Sequence, residues 1–356
     1  MNTINHHFLY EYLNNKAPVT REISGQKIWL NYIKPYIHDY FVDVYGNAVG
    51  IINPQADYKV VIEAHADEIS WYVNYITKEG YIYVIRNGGS DYQIAPSMRA
   101  TIHGEQGDLP AVFGWPAIHV RKEREKTKMN VENIVLDAGF SSQEEASKKG
   151  VEVGSIVTFD RDLCELNGKF WTGRALDNRI GGVIIAEVAR MLHEKKTKLP
   201  FGLYIVNAVQ EEVGRRGAAM ITEKIKPNLA LITDVTHDTQ SPHYSKIKNG
   251  DIACGKGPVL FSAPSVQPKV YAMLMEVAKK NKIPFQRSAA QYETGTDIEA
   301  FAYSNAGTPS GLLSQPIKYM HTTVETVHQD DVVNTVRWKY EFLRALQANH
   351  SFKFDL

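Results

Sequence analysis

The chain has 356 residues and a mass of 40.1 kDa, and its 40 basic side chains are balanced by 40 acidic ones. This neutrality argues against a nucleic-acid-binding protein, which carries a basic surplus, and against a polybasic protein of the membrane surface. Hydrophobic residues make up 44% and charged residues 22%, the mixture of a folded globular chain rather than a disordered one. The length predicts about two domains.

The cysteine content indicates a reducing compartment. Cys164 and Cys254 form no CxxC pair and are too few for a disulfide framework. The first residues lack the apolar segment of a secretory signal, and no apolar run approaches the roughly 20 residues that span a bilayer. We therefore expect a cytoplasmic protein with no nucleic-acid or membrane partner.

The N-terminal segment predicts two helices followed by strands. Apolar residues recur at helical spacing over Ile4–Leu13 and Lys27–Ile37. Phe41–Ile52 predicts a hairpin that turns at Tyr45-Gly46-Asn47. Tyr58–Ala64 is a continuous apolar strand, of the kind that is buried on both faces of a sheet.

From residue 69 to about residue 164, short strands separated by turns predominate, with one short helix near residues 142–149. The predicted strands are Trp71–Ile76, Tyr81–Ile85, Met98–His103, Ile134–Leu136 and Ile156–Phe159. A charge run at residues 121–128 predicts a solvated loop because its signs are mixed. The stretch therefore predicts a small β-rich domain, residues 69–165.

After Trp171 the pattern alternates between helices and strands, which favours an α/β sheet covered by helices. Helices are predicted at Asp177–Lys195, Ala218–Ile225, Pro268–Lys280, Asp297–Ser304 and Asp331–Ala348. Strands are predicted at Phe201–Val209, Leu229–Asp234 and near Phe285 and Ser310. We therefore expect an α/β fold with a mixed central sheet, built from residues 1–68 and 166–356, into which the β-rich domain is inserted.

Acidic residues and histidines lie at the ends of the predicted central strands, where open α/β sheets place their ligands. His65 follows the strand that ends at Ala64, and Asp67 is placed to orient its imidazole. Asp177 opens a predicted helix, in which Gly181-Gly182 indicates a close backbone approach. Taken singly, such a histidine is more often structural, and such an aspartate is more often a helix cap.

Three further motifs, with four candidate residues between them, follow. Glu211 and Glu212 come after the strand at residues 201–209, and the pair could equally be a solvated surface feature. Asp234 ends the next strand, and burying an unpaired carboxylate there would be expensive. His321 lies in a loop ahead of the last helix. For Asp234 and for His321, a role as cap, turn or satisfied core residue is an equally good explanation. Together these carboxylates and imidazoles, with no thiolate, suit two zinc, cobalt or manganese ions in a hydrolytic site.

The ordered motifs resemble those of the M42 family of metallo-aminopeptidases, which includes glutamyl aminopeptidases and tetrahedral (TET) aminopeptidases. The resemblance covers nearly the whole chain. It is carried by His65-x-Asp67, Ala175-Leu176-Asp177-Asn178-Arg179, Glu211-Glu212-Val213-Gly214 with Arg216-Gly217-Ala218, Asp234-Val235-Thr236-His237 and His321-x-x-Val324-Glu325. In the inserted region it extends to Asp137-Ala138-Gly139-Phe140-Ser141-Ser142.

The resemblance implies two divalent ions per chain, with Zn²⁺ favoured over Co²⁺ or Mn²⁺. It implies that Asp177 bridges both ions, that His65 and Asp234 complete one site, and that Glu212 and His321 complete the other.

The resemblance also implies that Asp67 supports His65 and that Glu211 is the general base for a bridging hydroxide. We expect the two glutamates to take different roles because consecutive side chains on an extended segment diverge. The substrates implied are peptides with a free N-terminus. The assembly implied is a homo-oligomer, from a dimer to a tetrahedral dodecamer, with dimer contacts from the inserted domain.

Two other functions compete with the metal-dependent aminopeptidase. A glycoside hydrolase could use Glu211 and Glu212 as acid and nucleophile, but such carboxylates need to stand about 5 Å or more apart across a sugar bond. A binding or scaffold protein with a decayed site is the second alternative. All the predicted ligands and the predicted base are present, which favours the enzyme.

Overall fold

The computed structural model describes residues 4–121 and 129–354, so most of the predicted solvated loop at residues 121–128 lies outside the described residues. The strands are β1 (Asp39–Val42), β2 (Ala48–Ile52), β3 (Lys59–His65), β4 (Ser70–Ile76), β5 (Ile82–Asn87), β6 (Arg99–Gly104), β7 (Gly107–Gly114), β8 (Val135–Asp137), β9 (Ile156–Phe159), β10 (Cys164–Leu166), β11 (Phe170–Gly173), β12 (Gly202–Ala208), β13 (Leu229–His237), β14 (Val259–Ser262), β15 (Gln286–Ala289), β16 (Ser310–Lys318) and β17 (Glu325–His328).

The helices are α1 (His6–Asn14), α2 (Ile23–Ile33), α3 (Gln143–Lys148), α4 (Leu176–Glu194), α5 (Arg216–Ile225), α6 (Lys246–Asn249), α7 (Pro268–Lys280), α8 (Ile298–Ala302) and α9 (Gln329–Ala345). Among the described residues no helix is both long and apolar enough to cross a membrane.

A large mixed sheet forms the centre of the molecule. Eleven strands within the described residues belong to it, in the order β1-β2-β12-β3-β13-β16-β17-β11-β10, with β14 and β15 attached beside β16. The strands β12, β3, β13 and β16 run parallel, and the flanking strands pair antiparallel. This sheet confirms the predicted α/β fold, and the parallel strands bring their carboxyl ends to one edge.

Helix α4 packs directly on the central strands, which explains why it is buried along most of its length. Its glycine pair makes this approach possible. A Cβ placed on Gly181 would lie 2.8 Å from the Cβ of Ala64 in β3, and one on Gly182 would lie 2.9 Å from the hydroxyl of Tyr12. Both distances are shorter than real contacts allow, so the close approach predicted from this pair is present.

A small closed barrel is inserted between β3 and β10. Its strands follow the order β4-β5-β8-β7-β6-β9 around a core that includes Trp71, Ile102, Phe113 and Leu136. Strand β7 was not predicted, because Pro110 and three polar or glycine positions interrupt its apolar pattern. The domain boundaries after residues 68 and 165 stay a prediction.

Candidate metal centre

Strands β3 and β13 place a histidine and an aspartate side by side at the sheet edge. His65 is the last residue of β3. Asp234 was predicted to end its strand, but β13 continues to residue 237, so this carboxylate lies inside the strand. In the parallel pairing of the two strands, Ile232 lies opposite Glu63. Asp234 and His65 each follow two residues after this pair, so they lie at the same level of the sheet. Their closest nitrogen and oxygen atoms are 3.9 Å apart.

Five of the predicted residues come together as two groups that share Asp177. His65 Nε2 lies 3.3 Å from Asp177 Oδ1 and 3.9 Å from Asp234 Oδ1. His321 Nε2 lies 3.2 Å from Asp177 Oδ2 and 3.4 Å from Glu212 Oε1. Within each trio, one possible ligand atom from each residue lies within 4.8 Å of the others. We call these the His65 trio and the His321 trio, and Asp177 faces one with each oxygen.

The donor atoms of both trios fit divalent cations. Imidazole nitrogen and carboxylate oxygen bind zinc at about 2.0–2.2 Å, which puts two ligands of one tetrahedral ion roughly 3.4 Å apart. The observed separations of 3.2–3.9 Å are close to that value. Asp177 and Asp234 are buried, and buried carboxylates need compensating positive charge. The five residues could therefore hold two cations.

In the absence of cations, burial is the main influence on the pKa values of three of the carboxyl groups at the site. It raises the pKa of Glu211 to about 9, and it raises the pKa of Glu212 and, further, that of Asp234 above their ordinary values. Asp177 behaves oppositely: burial favours its neutral form, but contacts with His321 and His65 outweigh that effect and lower its pKa.

The two histidines hold protons when no cation is bound. Burial alone would lower their pKa values, but the surrounding carboxylates outweigh it. The pKa of His321 rises to about 11, with Asp177 and Glu212 as the main causes, and the pKa of His65 lies well above its ordinary value. Cations and protons would therefore compete for the same atoms, so that cation binding here would release protons.

Asp67 fixes the backbone that carries the two glutamates. Its carboxylate is fully buried and accepts the backbone N–H groups of Glu211 at 3.0 Å and Glu212 at 3.1 Å. One of its oxygens is 3.5 Å from His65 Nδ1. The expectation of an extended segment was wrong, because the Glu211 carbonyl accepts the N–H groups of Gly214 and Arg215 and so closes a turn.

This turn separates the side chains of the two glutamates. Glu211 Oε2 lies 3.9 Å from His65 Nε2, while Glu212 Oε1 lies 3.4 Å from His321 Nε2. The divergence expected from the sequence is present, but the turn and its Asp67 hydrogen bonds produce it rather than an extended strand.

Glu325 makes a second clamp of the same kind, which the sequence did not reveal. Its buried carboxylate accepts the backbone N–H of Asp177 at 3.0 Å and that of His321 at 2.7 Å. It therefore joins the shared aspartate to the histidine of one trio, although 148 residues separate Asp177 from Glu325. Burial, with the nearby Asp177 charge, raises the pKa of Glu325 well above its ordinary value.

A cavity of about 420 Å³ opens in front of both trios. Arg215 is a cation on its wall, and its guanidinium donates to Glu299 at 3.1 Å and to Glu293 at 3.0 Å. Thr236 and Thr294 add polar groups to the lining. The turn after Glu211 places Arg215 on this wall, since the Arg215 backbone N–H donates to the Glu211 carbonyl at 2.9 Å.

Comparison with known proteins supports an enzyme of the peptidase type. The lysyl aminopeptidase of Pyrococcus furiosus is 34% identical over 308 residues, which cover 86% of this chain and 87% of that protein. The Pyrococcus horikoshii TET1 peptidase, described as able to assemble into a tetrahedron or a large octahedral shell, is 28% identical with a TM-score of 0.85 over 96% of this chain and 99% of its own.

A third similar structure carries a different functional name. An endoglucanase of Thermotoga maritima is 25% identical with a TM-score of 0.76 over 94% of this chain and 96% of its own.

The fold, the acid and histidine site and these relatives together place the chain in the class of aminopeptidases. The family model described as M42 glutamyl aminopeptidase matches residues 46–338, and the chain belongs to the M42 peptidase family. The family predicted from the sequence motifs is therefore confirmed.

Proposed function

We propose that this chain removes N-terminal residues from peptides by means of a two-cation site. The observation that carries the proposal is the position of Asp177, whose two oxygens face two separate histidines at 3.3 and 3.2 Å. Asp177 is buried, and a buried carboxylate between two imidazoles is the arrangement expected of a ligand shared by two cations. In this proposal the His65 trio holds one divalent ion and the His321 trio holds the other.

The bound ions would supply Lewis acidity toward the scissile carbonyl and a lowered pKa for water at the site. Zn²⁺ suits the donor set best, and Co²⁺ or Mn²⁺ can replace it. Glu211 acts as the general base of the reaction. Its carboxylate takes a proton from the attacking water and then gives that proton to the leaving amine. Support comes from its place on the cavity wall and from its distance of 3.9 Å to His65 Nε2. Two bound cations would lower the Glu211 pKa from its cation-free value of about 9 and keep the carboxylate ionised, as a base must be.

Asp67 serves this chemistry as a positioning residue. By accepting the N–H groups of both glutamates, it keeps Glu211 on the side of one histidine and Glu212 on the side of the other. It also lies near His65 Nδ1, where a carboxylate orients a ligating imidazole.

We also propose that the chain forms a homo-oligomer through its barrel. The related TET1 peptidase assembles into closed shells, as its description says. In this chain the barrel region exposes several large apolar side chains that an interface would cover. They include Tyr75, Tyr81, Val112, Ile118, Val120 and Val153.

The proposed activity is tested with protein freed of metal and then supplied with Zn²⁺ or Co²⁺. We expect metal-restored release of p-nitroaniline from aminoacyl-p-nitroanilides and no release from N-acetylated forms of the same compounds. Failure to restore release from any aminoacyl substrate would overturn the peptidase proposal. A β-glucan substrate is included because one similar structure is described as an endoglucanase, and restored β-glucan cleavage would favour that function.

The role of Glu211 is tested separately with Glu211→Gln. We expect this variant to bind two cations per chain and to lose turnover by at least about 100-fold, the usual contribution of a general base. Loss of a cation instead would assign Glu211 to the ligands.

A further inference from the structure

One loop of the barrel contacts the candidate metal centre. The segment of residues 88–90 follows β5 and contains the consecutive glycines Gly88 and Gly89. A Cβ placed on Gly89 would lie 2.5 Å from His321 Nδ1 and 2.6 Å from His321 Cε1. One placed on Gly88 would lie 3.2 Å from Glu212 Cβ. Bare backbone therefore touches both residues that belong only to the His321 trio.

The loop is anchored, so it cannot easily retreat from these side chains. Asn87 donates to the Val19 carbonyl at 3.2 Å and to Ser70 Oγ at 2.8 Å. Ser90 Oγ donates to the Ser70 carbonyl at 2.7 Å. Asn87, Ser90 and Ser70 are all buried.

The closest contacts of both glycines lie on the side of one trio. The atoms nearest to a Cβ on either glycine belong to Glu212, Ile69 and His321, and none of them belongs to His65 or Asp234. The His321 side chain is also the more accessible imidazole, with 35% of its surface exposed against 1% for His65. Fewer atoms therefore surround the His321 ring, and its orientation depends more on each neighbour that is fixed in place.

We propose that the Gly88-Gly89 loop is a positioning element that holds the His321 ring in place, so that the inserted barrel sets the cation affinity of the His321 trio alone. The proposal rests on the two-cation function above. Substitution of Gly89 by alanine would displace the ring from its position beside Asp177 and Glu212, because the added methyl occupies the space of the imidazole. The His65 trio would keep its geometry.

The test compares Gly89→Ala with Gly114→Ala by titrating metal-free protein with Zn²⁺ in a calorimeter. Gly114 is a matched control, since it lies in the same barrel and a Cβ there would be 3.8 Å from its nearest neighbour, the Val135 carbonyl. Neither Gly89 nor Gly114 has a left-handed backbone conformation. We expect two ions in the wild type and in Gly114→Ala. In Gly89→Ala one ion should bind about 10–100-fold more weakly, the usual effect of losing a group that orients a ligand.

A second background separates positioning from general damage. When His321 is replaced by alanine, the added methyl at residue 89 no longer meets a ring, so Gly89→Ala should cause no further loss of affinity or of melting temperature. Equal destabilisation in both backgrounds would make the loop merely structural and overturn the proposal. Two ions of unchanged affinity in Gly89→Ala would overturn it as well. A wild type that binds no cation would instead refute the proposed function.

Discussion

Replacing Asp67 with asparagine should weaken the site without removing any proposed ligand. The carboxylate accepts two backbone N–H groups, from Glu211 and Glu212, through separate oxygens. An asparagine amide offers one oxygen and one NH₂ group. One of the two backbone N–H groups would therefore face another donor, in a site that is fully buried.

The size of the effect follows from these two hydrogen bonds. A hydrogen bond to a charged group contributes about 1.5–3 kcal/mol, and an unsatisfied buried donor costs about 1–3 kcal/mol. Losing one bond and weakening the other should lower the free energy of unfolding of the metal-free protein by about 2–4 kcal/mol. The displaced turn should also lower kcat/KM by about 10–100-fold, as for other groups that orient ligands.

Urea unfolding of the metal-free protein measures the stability change, and initial rates with an aminoacyl-p-nitroanilide measure the activity change. Asp57→Asn is the control, because Asp57 is exposed. It should change the free energy of unfolding by less than about 0.5 kcal/mol. If Asp67→Asn also stayed within that limit and kept wild-type activity, the clamp by Asp67 would be refuted.

Three further changes probe other parts of the molecule. Glu68→Gln breaks a buried ion pair with Arg174, and urea unfolding should show a loss of about 3 kcal/mol; an unchanged midpoint would contradict this. Lys339 is buried, and burial lowers its pKa from 10.5 to about 7. Because the unfolded chain then binds more protons between these pH values, the free energy of unfolding should rise with pH across this window. The slope is at most about 1.4 kcal/mol per pH unit, and Lys339→Met should remove this contribution. Arg215→Leu leaves two carboxylates unpaired beside the cavity. The ratio of kcat/KM for substrates with N-terminal lysine to that for substrates with N-terminal glutamate should rise about tenfold, which is about 1.4 kcal/mol. A constant ratio would show that Arg215 does not determine substrate specificity.

Much of the central sheet is predictable because its strands are long and apolar. The predicted strands at residues 58–64 and 201–209 match β3 and β12 closely, and the helix at Pro268–Lys280 matches α7. The short strands β10, β11 and β17 on one side of the sheet were not predicted. They are three or four residues long, and pairing with neighbours defines them more than their own pattern does.

The candidate ligands were predictable for a related reason. Parallel strands bring their carboxyl ends together, so acids and histidines at those ends indicate one site. The groups that hold these ligands were harder to find. Glu325 reaches Asp177 across 148 residues of sequence, and Gly89 reaches His321 from the inserted barrel. No local sequence pattern indicates such contacts, because they depend on how separate secondary-structure elements pack.

The central claim is that one carboxylate, Asp177, serves two cations. Metal content after equilibrium dialysis against Zn²⁺, measured by mass spectrometry, tests this claim directly in four proteins. The wild type should retain two ions per chain, Asp234→Asn and Glu212→Gln should each retain about one, and Asp177→Asn should lose both. Full retention of one tightly bound ion by Asp177→Asn would contradict the shared carboxylate, whatever the activity of that variant.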